Sequence, residues 1–143
     1  MSRRTVLAFG SFDVIHPGHI RYLKGASRYG QLIVVVARDR SMEMLKGKTP
    51  LMDERSRVEI VGSLRFVWKA VLGGRIRKWN DIYKTLLKFR PDVIALGYDQ
   101  KVDMDYLKRF LDENGLNSRI VRIKPFKHMK FKSSMLKKMM ESY

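Results

Sequence analysis

Residues 5–19 read TVLAFGSFDVIHPGH, and this stretch decides the fold of the 143-residue chain. Residues 5–9 form a short apolar run, which is typical of a strand buried on both faces of a sheet. Gly10 lets the chain bend after that strand. Pro17 suits the first turn of a helix, because its missing N–H costs nothing there. The stretch therefore predicts a strand that passes through a loop into a helix.

Two histidines, His16 and His19, lie beside Gly18 at the predicted start of this helix. Gly18 has no Cβ, so a phosphate can approach its backbone closely. The first turn of a helix presents free N–H groups and a partial positive charge, which together attract anions. Imidazoles at that position can donate hydrogen bonds to phosphate oxygens. These residues therefore predict a phosphate-binding site.

Apolar runs alternate with helical patterns along the chain. The runs that are typical of strands cover residues 5–9, 31–36, 67–72, 93–96 and 119–123. The helical patterns cover residues 17–29, 53–64, 79–89, 104–114 and 134–141. This alternation predicts a doubly wound, Rossmann-like three-layer α/β/α sandwich around a five-stranded, mostly parallel sheet. Ligands bind such folds beyond the carboxyl ends of the strands, where the HPGH segment would lie.

Composition limits the class of protein. The hydrophobic fraction of 45% is ordinary for a globular protein, and the length fits one domain over residues 1–143. No apolar run approaches the roughly 20 residues of a membrane span, and the N-terminus lacks the apolar segment of a signal peptide. The absence of cysteine excludes disulfides, thiolate metal sites and a cysteine nucleophile. We therefore expect a cytoplasmic protein with no membrane partner.

The formal net charge of +16 has two interpretations. It can serve a polyanionic ligand, either a nucleotide or a nucleic acid, or it can be a solvated basic surface. Residues 116–140 contain no Asp or Glu, so this segment could line a phosphate site or keep the protein soluble. The chain carries no recognisable RNA- or DNA-binding motif. A nucleic-acid-binding module is therefore a minor alternative, and no specific nucleic acid is expected as a partner.

The segment GSFDVIHPGH at 10–19 resembles the HxGH signature of the cytidylyltransferase-like nucleotidyltransferases. Four further segments resemble the family and follow its order: VVVARDR at 34–40, LKGKTPLMDERSR at 45–57, RPDVIALGYDQ at 90–100 and KFKSSMLKK at 130–138. The archaeal-type FAD synthases are the branch that the chain resembles most, followed by the glycerol-3-phosphate cytidylyltransferases. The first branch implies transfer of AMP from ATP to FMN, giving FAD and pyrophosphate. The second implies CTP and a polyol phosphate.

The resemblance implies roles for the residues around the motif. His16 and His19 would contact the phosphates and stabilise the transition state, and Lys46, in a loop after the second strand, would reach the triphosphate. The residues implied to bind the nucleotide here are Gly10, Ser11, Phe12, Asp13, Pro17 and Gly18. Asp13 keeps three interpretations, because it could orient a histidine, lie near a metal or cap the following turn.

Residues further along the chain each keep two interpretations. Lys48 could bind the nucleotide or be a solvated loop lysine, and Arg57 could bind it or pair with Glu54 or Glu59. Gly97 and Asp99 follow the fourth predicted strand. Gly97 permits the nucleotide to approach the backbone closely. The carboxylate of Asp99 could accept a hydrogen bond from the ribose or base, or it could form an Asx-turn.

The segment near residue 130 departs from the family pattern. Ser133 and Ser134 retain hydroxyls at a predicted helix start, where they could cap the helix, bind phosphate or do both. The arginine that cytidylyltransferases carry there is not evident. Its possible replacements are His128, Lys130 and Lys132.

A divalent cation, normally Mg²⁺, is expected with the nucleoside triphosphate. It would be held mainly by substrate oxygens, since the chain has no dense carboxylate cluster, and no residue is assigned as a metal ligand. Relatives of this family are often dimers, so the resemblance also implies a homodimer.

Overall fold

The sheet is five-stranded and parallel throughout, with strand order β3-β2-β1-β4-β5. The computed structural model describes residues 3–125. Its strands are β1 (Thr5–Gly10), β2 (Gln31–Val36), β3 (Lys69–Leu72), β4 (Val93–Gly97) and β5 (Arg119–Ile123). The chain steps outward from β1 to β3 and then returns to the other side of β1. The strand order therefore reverses between β1 and β4, where doubly wound folds bind ligands.

The helices cover both faces of this sheet. They are α1 (Pro17–Ser27), α2 (Asp39–Lys46), α3 (Glu54–Gly62), α4 (Lys84–Phe89) and α5 (Met104–Glu113), with a 3₁₀ helix (Trp79–Tyr83) before α4. The single helix predicted over 79–89 is thus two consecutive helices. The helix predicted over 134–141 lies outside the described residues.

Two apolar layers flank the sheet because alternate side chains of a strand point to opposite faces. On β1, Val6 packs with Leu23 of α1, whereas Leu7 packs in a second cluster with Leu107 of α5. The first cluster also includes residues of α3, and the second includes residues of α4. The predicted three-layer α/β/α architecture is confirmed.

Helix α2 was not predicted, and the loop assigned to Lys46 was wrong, because Lys46 is the last residue of that helix. Helix α2 is eight residues long, shorter than the window of about 11–18 residues over which a helical repeat is recognised, and its N-cap residue, Arg38, makes no side-chain capping bond that the sequence could signal. The helix ends at Gly47, whose φ of 64° is the left-handed conformation that terminates many helices.

Membrane-crossing helices are not present among residues 3–125, because each helix there is too short or too polar to span a bilayer.

The connection from α1 into β2 depends on Gly30. Its φ is +153°, and a Cβ at this position would overlap the carbonyl oxygen of Arg4. That oxygen accepts the N–H of Gln31 at 2.8 Å, which begins the pairing of β1 with β2. Glycine is therefore required at position 30, because the backbone of Arg4 lies too close to leave room for a side chain.

Replacing Gly30 with alanine should destabilise the protein by about 2–3 kcal/mol, since the backbone must shift at the first rung of the sheet. Gly115→Ala is the matched control, because Gly115 has a φ of +64° but a Cβ there would meet no atom within 4 Å. The control should cost only about 1 kcal/mol of left-handed strain. Denaturant unfolding measures both, and equal losses would contradict the assigned clash.

Candidate active site

A cavity of about 360 Å³ opens where β1 and β4 end. Most of the residues predicted for the site line it. They are Gly10, Ser11, Phe12, Asp13, His16, Gly18, His19, Lys46, Lys48, Gly97 and Asp99. Pro17 and Arg57 do not line it. Ser133 and Ser134, together with His128, Lys130 and Lys132, lie outside the described residues.

The two histidines hold the first turn of α1 by reciprocal hydrogen bonds. His16 is the N-cap, and its Nδ1 accepts the backbone N–H of Gly18 at 3.0 Å. Nδ1 of His19 accepts the backbone N–H of His16 at 3.3 Å. This is a capping box built from imidazoles, in which the three-residue spacing fits the N-cap and N3 positions. The same spacing brings both rings to one side of the helix start.

The imidazole rings of His16 and His19 stack, with centroids 3.9 Å apart and planes inclined by 25°. Burial is the main cause that lowers the pKa of His19 to about 4; the charges of His16 and Lys46 contribute to this shift, and a hydrogen bond to the backbone of Val14 opposes it. Burial also lowers the pKa of His16, against the opposing charge of Asp99. Both shifts favour the neutral form of the imidazole in the free protein. Because Nδ1 of His16 accepts a hydrogen bond, its neutral ring carries its proton on Nε2.

Phe12 holds His19 from the other side. Its ring is 2% exposed and meets the His19 ring edge-on, with centroids 5.3 Å apart. The backbone of Phe12 is left-handed, with a φ of 53°, a strained conformation for a residue other than glycine. A Cβ on Gly10 would lie 2.6 Å from the Phe12 ring. Gly10 therefore makes room for the aromatic ring that supports His19.

Positive charge surrounds the histidine pair. Nζ of Lys46 donates to the hydroxyl of Ser11 at 2.9 Å, so the end of α2 reaches the loop after β1. Arg21, Lys48 and Lys124 also line the cavity. These cations outnumber the carboxylates of Asp13 and Asp99, the acidic side chains of the lining. The cavity therefore favours an anionic ligand.

Asp13 fixes the segment that follows α2. Its carboxylate is 1% exposed and accepts the backbone N–H groups of Leu51 and Met52, each at 2.9 Å. These bonds join two loops that border the cavity. Of the interpretations considered for Asp13, none anticipated this contact.

Arg57 lies beneath the cavity and is fully buried. Its guanidinium donates to the carbonyl of Ser11 at 2.7 Å, to the carbonyl of Met52 at 3.0 Å and to the carboxylate of Asp39 at 2.6 Å. Asp39, rather than Glu54 or Glu59, is its ionic partner. Of the two interpretations of Arg57, the pairing with those glutamates was wrong, because Arg57 points into the protein and joins the loop after β1 to the start of α2.

Nine further lining residues were not predicted for the site, and five of them have polar side chains. These five are Arg21, Tyr22, Tyr98, Gln100 and Lys124. Tyr98 and Gln100 belong to the quoted LGYDQ segment, which was a usable signal for both. Arg21 and Tyr22 follow the HPGH motif by one turn of α1, which was also a usable signal.

Known proteins resemble the chain over nearly its whole length. The cytidylyltransferase-like family model matches residues 7–139. An FAD synthase of Thermoplasma acidophilum is 49% identical over 134 residues, covering 93% of this chain and 91% of that protein. An FAD synthase of Archaeoglobus profundus is 45% identical over 130 residues, covering 90% and 80% respectively.

Solved structures agree with this relationship. A Thermoplasma volcanium protein described as a lipopolysaccharide core biosynthesis protein is 40% identical, with a TM-score of 0.79, covering 88% of this chain and all of that one. A pantoate-beta-alanine ligase from Francisella tularensis has a TM-score of 0.56 at 14% identity and shares the fold alone. On this evidence the chain belongs to the cytidylyltransferase-like family.

Proposed function

We propose that this protein is an FAD synthase, which transfers the AMP group of ATP to FMN and releases pyrophosphate. The observation that carries the proposal is the stacked His16–His19 pair in a cation-lined cavity at the reversal of strand order. Curated relatives at 41–49% identity are named FAD synthase. That name is the reason for proposing FMN as the acceptor and ATP as the nucleotide.

The chemistry is a displacement at the α-phosphorus of ATP. A phosphate oxygen of FMN forms a bond to that phosphorus, and the bond to the bridging oxygen breaks, so that pyrophosphate leaves with the electron pair. Negative charge develops on the oxygens around phosphorus. His16, His19 and Lys46 provide donors and positive charge in fixed positions, which stabilises this charge without a covalent enzyme intermediate.

The remaining predicted residues bind and orient substrate in this proposal. Ser11, Phe12 and Gly18 border the phosphates, Lys48 adds charge at the cavity edge, and Asp99 accepts a hydrogen bond from the ribose or base. Ser133 and Ser134 are proposed to contribute hydroxyls to the same nucleotide.

Mg²⁺ is proposed to enter with the triphosphate, because phosphate oxygens are its preferred ligands. Residues 3–125 contain no group of three or more His or carboxylate side chains that could cage a metal. The carboxylate of Asp13 is also already engaged by two backbone N–H groups. The substrate, not the described part of the protein, is therefore proposed to hold the ion.

We also infer that residues 1–143 form one nucleotidyltransferase domain, that the protein acts in the cytoplasm and that it forms a homodimer. The single domain fits the continuous match to the family model, and the dimer follows the resemblance to the family. Sedimentation analysis measures the dimer directly.

The purified protein should form FAD and pyrophosphate when it is incubated with Mg²⁺, ATP and FMN. CTP with glycerol 3-phosphate is the comparison that tests cytidylyl transfer, since the nucleotide pocket must discriminate between the two bases. Product is measured by chromatography of the flavin and by release of pyrophosphate. Turnover of CTP and glycerol 3-phosphate, with no FAD formed, would refute the proposed function.

The two roles of His16 can be separated by substitution. His16→Asn should keep the helix cap, because an Asn side chain accepts the same N–H bond, but it loses the ring. We expect turnover to fall about 10²-fold or more, with stability changed by less than about 0.5 kcal/mol. His16→Ala loses the ring and the cap, so it should match the activity loss and also lose about 1 kcal/mol of stability.

Turnover numbers and denaturant unfolding of the two variants provide the measurement. Wild-type turnover in His16→Asn would show that the ring has no part in the reaction. A loss of activity confined to His16→Ala would show that the residue acts only as a helix cap.

A further inference from the structure

The pairing of β1 with β4 stops short of the cavity. The pairing of β1 with β2 continues to the last residue of both strands, whereas the pairing with β4 ends at Ala8 and Ala95. The next bond of a parallel ladder would join the N–H of Gly97 to the carbonyl of Phe9. In the structure each of these two groups is bonded to Gln100 instead.

The side-chain amide of Gln100 is inserted between the two strands. Its Oε1 accepts the N–H of Gly97 at 2.8 Å, and its Nε2 donates to the carbonyl of Phe9 at 2.9 Å. A primary amide carries both a donor and an acceptor, so it satisfies both backbone groups as a peptide unit would. Glutamate, when ionised, could not donate to Phe9. The pattern of hydrogen bonds therefore requires glutamine chemistry.

Two neighbouring side chains fix the backbone around the inserted amide. Arg122 donates to the carbonyl of Gly97 at 2.8 Å and to that of Gln100 at 2.6 Å, which fixes the turn after β4. One bond earlier in the ladder, the hydroxyl of Tyr22 accepts the N–H of Phe9 at 3.4 Å and donates to the carbonyl of Ala95 at 2.6 Å, so it also lies between the two strands. The strands therefore separate at a defined place, directly below the cavity.

We propose that Gln100 is a positioning residue that holds β1 and β4 apart and so keeps the nucleotide cavity open before substrate binds. Phe9, Gly10, Gly97 and Gln100 all line this cavity. Without the inserted amide, Gly97 can bond directly to Phe9 and extend the ladder into the cavity. Only a fraction of the protein is then in the open state. The apparent dissociation constant for ATP equals that of the open state divided by this fraction, so it rises. This inference rests on the proposed function for its kinetic readout.

Two substitutions with opposite signatures test the proposal. Gln100→Ala removes the inserted volume, so the strands should pair. We expect the KM for ATP to rise about tenfold while kcat changes by less than about threefold, because only the open population changes. Gln100→Leu keeps the volume but leaves both backbone groups without partners. It should bind ATP within about threefold of wild type and unfold at a lower denaturant concentration.

The closed ladder can be observed without any nucleotide. Scalar coupling across a hydrogen bond, from the Gly97 nitrogen to the Phe9 carbonyl carbon, should be absent in the wild type and present in Gln100→Ala. Gln31→Ala, at the opposite end of the sheet, is the matched control and should change neither the coupling nor the KM. Because the coupling requires no turnover, it tests the inserted amide independently of whether the enzyme makes FAD.

Two results would overturn the proposal. One is Gln100→Ala with no coupling between Gly97 and Phe9 and with unchanged KM. The other is equal loss of ATP affinity in the alanine and leucine variants, which would assign the effect to lost hydrogen bonds and not to separation of the strands.

Discussion

The hydrogen bonds that the His16 and His19 imidazoles accept from the backbone at the start of α1 are the interaction on which the site depends. They cap α1 and, by the same contacts, set the two imidazoles in a stack at the mouth of the cavity. Helix initiation and placement of the groups that we propose to bind phosphate are thus one structural event. Burial lowers the pKa of both imidazoles and so favours their neutral forms. Neutral rings can stack without charge repulsion before a ligand binds. In the proposed function, an incoming triphosphate supplies the negative charge that balances the excess of cations in the cavity lining.

The rest of the fold serves to keep this pair at a gap in the sheet. β1 delivers the histidines at its carboxyl end, and β4 delivers Asp99 on the other side of the gap. Arg57 and Asp13 then fix the loops around it through buried hydrogen bonds to backbone groups. A site assembled from loops therefore gains the rigidity that catalysis by preorganised donors requires.

The sequence predicted the sheet well because its three central strands, β2, β1 and β4, are compact apolar runs. It also located the histidine pair, since the motif combines residue types with a recognisable helix start. It did not predict α2, which is only eight residues long and begins after Arg38 without a side-chain cap. The contacts of Arg57 and Gln100 could not be predicted either. Each involves a backbone group from a segment distant in sequence, and finding that partner requires the strand order and register.

The most direct test of the histidine pair is a pH titration of the imidazole resonances by NMR, with and without ATP. In the free protein His19 should titrate near pKa 4, and bound triphosphate should raise that value because it favours the imidazolium. A His19 pKa near its ordinary value of 6.5 that ATP does not change would contradict the account.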